Sequence, residues 1–410
     1  MKLLKAEAGV NDGKAGLLSA AGLFAKGGIF DKKSESFNIQ ELDPYLLFDA
    51  RSSMLGTLEN PTLDLDPATP STLDVITATR AGIATYTDPD GNIATASADT
   101  VRVDYVDSVP MILVEPSATN LLPYSEDFSN AAWDKNNVTL TADYGIAPDG
   151  TNTSTRIEYS GTSYIQDSFA VSDYTVSAFV KGVAGQVVRF GVGVNVAGGA
   201  DFTLNGEWQR IEYTGSGGTI FFSTFGGNTA TDFEIWGAQV ETGSVATSYI
   251  PTSGGDAAAR TRAADDLVIS GSAFTDFYNQ SEGTAYVENI EAQNSVDSFV
   301  LDASNGFANY IDIFNTGSDT KVVLKSGGTP YVNKVIGNRP SKGVLSRVAI
   351  SYKTNNVSAS IDGVNMSPDT SATMPTTINK LILGADFNSA NQLNGHIKRL
   401  IYWPYHSDSL

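Results

Sequence analysis

The chain has 410 residues, 41% hydrophobic and 18% charged, the balance of a folded protein too long for one core, so two to four domains are expected. Its formal net charge of −20 excludes the basic footprint that holds phosphates, and no nucleic-acid partner is expected. The absence of cysteine excludes disulfides, thiolate metal centres and thiol nucleophiles.

Glycine is abundant at 39 residues, and the aromatic residues sit among Thr, Ser and Val. That mixture predicts an all-β chain: an N-terminal docking region of extended and short-strand character, followed by two antiparallel β-sandwich (jelly-roll) domains. In residues 1–45, Leu17, Leu18, Ala21, Phe24 and Ala25 fall at helical spacing, although Gly16 and Gly22 weaken a helix there. Small residues suit close approach to another surface, so this segment is expected to be a docking peptide. Its apolar run, Ala15 to Ala25, lies between Lys14 and Lys26 and is far shorter than the ~20 residues that cross a bilayer. Neither membrane insertion nor a removable secretion signal is expected.

Residues 46–123 read as a domain of short strands. Leu63–Asp66 alternates, Leu73–Thr79 is β-branched, and Ile83–Tyr86 runs into Asp88-Pro89-Asp90-Gly91-Asn92, a hairpin turn with Gly91 placed for positive φ. Asp64 and Asp66 share a strand face and read as edge charge rather than as a metal or acid/base pair. In VEPSATNLLPYSEDFSNAAW (114–133), Glu115-Pro116 ends an apolar strand, and Trp133 is an aromatic plug for the domain that follows. Residues 124–250 carry seven or eight short strands, among them 155–159, 164–169, 174–181, 208–213 and 220–224, with Ser216-Gly217-Gly218 as one of the turns; this is a sandwich pattern. Residues 251–268 read as a linker, broken by Pro251 and Gly254-Gly255. Residues 269–410 read as a second sandwich, with a tight turn at Asn394-Gly395 before the last strand.

Catalytic residues are not assigned. Only His396 and His406 are present as imidazoles, and both read as structural or surface groups. No metal site and no cofactor are expected, because no HExxH spacing, phosphate loop or nucleophile elbow occurs. The ExDxxE spacing of sandwich glycosidases is also missing, and Glu288 and Glu291 would point to opposite strand faces. Pyranose rings stack on exposed aromatic faces. The candidates for such stacking are Trp403, Tyr405, Tyr213, Phe222 and Tyr164, whereas Trp133, Trp208 and Trp236 read as buried structural anchors.

Several stretches together resemble a family of tailed-bacteriophage virion proteins. LDLDPATPSTLDVITATRAGIATYTDPDGNIATAS, VRVDYV and MILVEPSATNLL (63–122) are similar to its recurring opening. NLLPYSEDFSNAAW, GEWQRIEY and WGAQVETGSVATSYIPTSG resemble its carbohydrate-binding-module-like jelly roll, and ARTRAADD the connector beyond it. VAISYKTNNVSASIDGVNM and LILGADFNSANQLNGHIKRLIYWP are similar to a concanavalin A-like (laminin G-like) lectin domain. The resemblance implies a non-enzymatic tail-fibre or head-spike subunit. It would be exposed on a virion made in the host cytoplasm, dock to capsid or tail proteins through residues 1–45, and bind host surface glycan, as a homotrimer. The competing readings are a decoration or cement protein without glycan binding, and a polysaccharide depolymerase.

Overall fold

The alternating apolar pattern of the C-terminal third folds into two sheets packed face to face. The computed structural model describes residues 58–194, 196–252, 260–292 and 297–408, and they are almost entirely strand. The proposed docking peptide and the stretch 46–57 lie outside the described residues. The first sheet runs, in spatial order, through Val364–Asn365, Asn356–Ile361, Leu345–Lys353, Glu282–Glu291, Gly395–Trp403, Val109–Val114 and Val103–Val106. The second runs through Thr77–Thr79, Asp266–Ser270, Lys380–Leu383, Ser298–Ser304, Tyr310–Asn315, Asp319–Ser326 and Thr329–Asn338.

The membership of these sheets corrects the domain boundaries expected above. Leu63–Leu65 and Val109–Val114 both lie against the last strand, in registers that place Leu63 opposite Tyr402 and Ile112 opposite Ile397. Leu65, Leu73, Ile112 and Val114 share one core with Val287, Leu324, Leu383 and Leu400. Residues 59–116 are therefore not a domain apart but an edge of the C-terminal sandwich. The physical reason is size: isolated three- to six-residue strands bury too little to stand alone, and a sheet edge offers them both backbone partners and apolar cover. The exception is the hairpin Ala84–Thr87/Ile93–Ala96. Its turn is the one read from sequence, with Gly91 at φ +84° and the Asp88 carboxylate accepting from the Asp90 and Asn92 amides.

The jelly roll is inserted into that sandwich. Two strands make its frame, Thr155–Gly182 and Gln209–Ser223, each longer than the pieces expected from sequence. They pair from Tyr164 to Val180 of the first, and the register slips between Gly217 and Thr219. Ser216-Gly217-Gly218 is thus a bulge and not a turn. A side chain at Gly217 would collide with the Gly193 backbone, and one at Gly191 with Gly199, so glycine at both positions allows close strand approach. Inside lie Phe128, Trp133, Phe190, Phe222 and Phe233.

Two short strands, Ala118–Asn120 and Arg260–Arg262, pair side by side as the stem that joins the insert to the outer sandwich. The segment 251–268 accordingly contains a stem strand and the start of a sheet strand, Asp266–Ser270; residues 253–259 lie outside the described residues. Asn120 closes the top of the stem. Its amide donates to the Ala238 and Ile250 carbonyls and accepts from the Leu122 and Val240 amides.

A buried ion network locks the base of the stem. Arg80 Nη1 meets Asp265 Oδ1 at 2.9 Å, Arg102 Nη2 binds both Asp265 and Glu115, and Arg262 Nη2 stands 3.4 Å from Glu115. All five side chains are buried. From the insert, Ser248 donates its amide (2.6 Å) and its hydroxyl (2.7 Å) to Glu115, and Arg102 donates to Thr85 of the hairpin. Burial alone would raise the Glu115 carboxyl, but Arg262, Arg102 and Ser248 hold it well below the usual carboxylate range. A buried charge is tolerable only when so paired.

Candidate functional site

Period-two alternation decides which side chains the second sheet shows to solvent. Along Tyr310–Asn315, Ile311 and Ile313 enter the core, so Tyr310, Asp312 and Phe314 stand on the outer face. Cross-strand register then places Phe299 beside Phe314, Asp302 beside Asp312, and Lys325 beside Tyr310. Phe299, Tyr310, Asp312, Phe314 and Lys325 line a groove of about 350 Å³ together with Val323, Pro330 and Asn333, and Asp302 lies beside it, opposite Asp312.

The groove has stacked aromatic walls. Phe299 lies over Phe314 at 5.1 Å with the rings 15° apart, and Tyr310 lies parallel to Phe387 at 6.4 Å and 11°. Lys325 is 7% exposed, and its Nζ sits 3.2 Å above the Phe307 ring and 5.6 Å from that of Tyr310, a cation–π arrangement that holds an ammonium in an aromatic corner. The floor is acidic. Asp302 and Asp312 are almost fully buried, and neither Asp302 oxygen, nor Ser304 Oγ, makes a hydrogen bond of regular geometry. Burial raises the Asp302 carboxyl to about 6, against the opposing pull of Ser304 and Asp312. Burial, and then the facing Asp302, raise Asp312 well above its ordinary value. A carboxyl raised in this way holds its proton to higher pH than a free one and, while protonated, can donate as well as accept. Flat apolar walls with a few polar groups at their edges are what a pyranose ring binds.

The residues expected to stack on sugar lie elsewhere. Trp403 is 4% exposed and stands on the opposite face of the last strand from the core residues Leu400 and Tyr402. Tyr405 is half-buried, with its hydroxyl tied to the backbone of Glu59. Phe222 is in the jelly-roll core, 4.7 Å from Phe190. Tyr213 is half-buried against that same core. Tyr164 is half-buried beside Asp134, whose charge raises its phenol. The structure brings none of these five into the groove. Of the five, Phe222 alone is a core ring, because a large apolar ring fills a sandwich interior.

Two of the three anchors are buried. Trp133 donates to the Tyr124 carbonyl at 2.9 Å and packs at a tilt 5.0 Å from Phe128. Trp236 packs 4.7 Å from Tyr249. Trp208 is different: its indole nitrogen is held by the Ile146 carbonyl, but its ring lines an open cleft. Asp64 forms a two-pronged ion pair with Arg399, which makes it a structural partner instead of free edge charge. His396 meets Asp104 at 2.8 Å, while His406 lies beside Asp408 in the terminal segment. Glu291 is clamped by Arg339.

No protein-family model matches the chain, and no curated protein matches it. Among solved structures, the chain is similar to the CBM40 domain of the Ruminococcus gnavus IT-sialidase bound to α2,3-sialyllactose, with 16% identity over 32% of this chain and 80% of that one at a TM-score of 0.28. Domain 4 of AbnA, a GH43 extracellular arabinanase from Geobacillus stearothermophilus in complex with arabinotriose, matches at 13% identity over 40% and 77%, with a TM-score of 0.30. The binding domain of botulinum neurotoxin serotype D matches at 9% identity over 35% and 38%, with a TM-score of 0.29. At such identities and scores the likeness carries no conclusion about this chain.

Proposed function

We propose that the chain is a non-enzymatic fibre or spike subunit of a phage-like particle that binds cell-surface polysaccharide through the outer groove of its second sheet. The observation that carries this reading is the groove itself, in which two aromatic walls flank the buried Asp312 carboxyl, with Asp302 opposite it in the register. Weak binding at each groove would be multiplied by the copy number of the subunit on the particle; three copies per spike and docking through residues 1–45 belong to the same reading. The segments that resemble virion proteins supply further support of a mechanical kind. Arg80, Arg102, Glu115, Ser248, Arg262 and Asp265 come from different stretches of that resemblance and meet in one buried joint. A surface appendage needs such a joint to keep two modules aligned.

Screening the full chain against host capsule and a glycan array tests the proposal. Tyr310→Ala and Phe314→Ala should each abolish or strongly weaken binding while leaving the melting transition in place. A folded wild-type chain that retains no glycan would assign it to shell decoration. Release of new reducing ends would make it a depolymerase. Electron microscopy of particles carrying the labelled subunit tests placement on the virion, and light scattering tests the trimer.

A further inference from the structure

The cleft that exposes Trp208 contains charges that the folding argument leaves unexplained. It lies on the outer face of the jelly roll, has a volume of about 260 Å³, and is closed on one side by Gly91 and Asn92 of the hairpin turn and on another by Ile146–Pro148. Its floor is Phe179, Lys181, Trp208 and Arg210. Arg210 is opposite Phe179 in the strand register. Alternation sends Val180 and Ile211 into the core, so the residues on either side of them face out.

In a chain with 46 acidic and only 26 basic residues, this cleft is lined by two cations and no carboxylate. The Lys181 ammonium has no ion pair or hydrogen-bond partner among the described residues. Arg210 is held through Nη2, by Ser177 Oγ at 2.9 Å and the Thr247 carbonyl at 2.7 Å, with its guanidinium 5.7 Å from the Phe179 ring centre. Its Nε is buried without an acceptor, and Glu212 stands 4.0 Å from Nη1, at the limit of an ion pair. The acids of the adjoining compartment are already engaged: Asp104 by His396 and the Thr87 amide, Glu115 by the joint.

From this arrangement we infer that the cleft is a second binding site, specific for a sugar that carries a carboxylate, such as a uronic acid. The Trp208 face takes the apolar side of the ring, its plane fixed by the bond to Ile146. Lys181 and Arg210 bracket the carboxylate, and the Asn92 side chain reaches hydroxyls from the hairpin side. A neutral sugar would leave the Lys181 ammonium without a counter-charge, so the site discriminates by charge as the outer-sheet groove does not. The inference shares with the proposed function only the premise that the chain binds glycans; it uses a different surface.

The test is a titration of the full chain with methyl β-D-glucuronide, followed through the tryptophan indole N–H resonances. Trp208→Phe identifies the relevant peak among the four tryptophans. That peak should shift with a dissociation constant in the millimolar range, and methyl β-D-glucoside should need at least about tenfold more ligand for the same shift. Lys181→Gln should weaken the glucuronide about tenfold, equivalent to about 1.4 kcal/mol, and Tyr310→Ala should leave it unchanged. A silent Trp208 peak, equal response to the glucoside, or indifference to Lys181→Gln would each overturn the site. If Tyr310→Ala abolishes array binding while the Trp208 peak stays silent, only this inference fails.

Discussion

The two sandwiches are built on opposite plans. The inserted jelly roll is contiguous in sequence, and its interior is richer in rings, with Phe128, Trp133, Phe190, Phe222 and Phe233 among its aliphatic residues. The outer sandwich is assembled from separated stretches of chain, and its interior is mostly aliphatic, with Leu65, Val114, Val287, Leu383 and Leu400 contributed from both ends. Large rings let a short stretch close its own core. Small branched side chains need many strands, so that core draws on distant segments and closes only when they arrive. The contrast teaches that the insert can order by itself, whereas the sandwich around it depends on both sides of the stem.

The joint offers the hardest test of that contrast. Asp265→Ala strands Arg80 and Arg102 without their shared acid, and removing one partner from a buried ion pair costs about 3–5 kcal/mol. We expect the loss at the upper end, about 5 kcal/mol, read by urea unfolding as a destabilised outer sandwich and a weakened attachment of the insert. If unfolding is unchanged, the joint holds nothing together. Next is Trp133→Ala, expected to cost about 4 kcal/mol in the jelly-roll transition alone, with glycan binding at the Tyr310 groove intact. Loss of binding at unchanged melting would instead make Trp133 a ligand platform. Leu65→Ala should remove about 2–3 kcal/mol from the outer sandwich, although the residue lies far from most of that core in sequence; a shift confined to the jelly roll would contradict the shared core.

The smallest effect is electrostatic. Because Asp302 titrates near 6 in the folded chain and near 3.9 in an unfolded one, the folded state holds the proton that the unfolded state releases. Stability of the outer sandwich therefore falls as pH rises from about 4 to beyond 6. Asp302→Asn removes that dependence: it should raise the melting temperature by a few degrees at pH 7 and leave it unchanged at pH 4. Parallel pH profiles for wild type and variant would remove the raised Asp302 carboxyl from the account of the groove.

Alternation made the all-β class and most individual strands legible, and Asp88–Asn92 declared its turn through chemistry local to it. What stayed hidden was non-local. Nothing within Leu63–Leu65 specifies that it pairs beside Tyr402, and nothing in Gly217 distinguishes a turn from a bulge until the neighbouring backbone is known. The groove did leave a signal. Tyr310, Asp312 and Phe314 occupy alternate positions of one strand, which puts two aromatic rings and an acid on one face. Attention to tryptophan passed over it, and three of the four tryptophans proved to be buried. Trp208 reads as a buried anchor for a complementary reason: the apolar alternation of its strand is real, but the residue stands just before Gln209, where the strand begins.

The stem also sets how the two modules share a load. Ala118–Asn120 runs from the outer sandwich toward the jelly roll, and Arg260–Arg262 runs back, so a pull that separates the modules stretches both strands along their axes without sliding one past the other. The tension divides between two covalent tethers. A protease that severs one of them leaves the jelly roll hanging from the other, with the Ser248–Glu115 contact still holding its orientation.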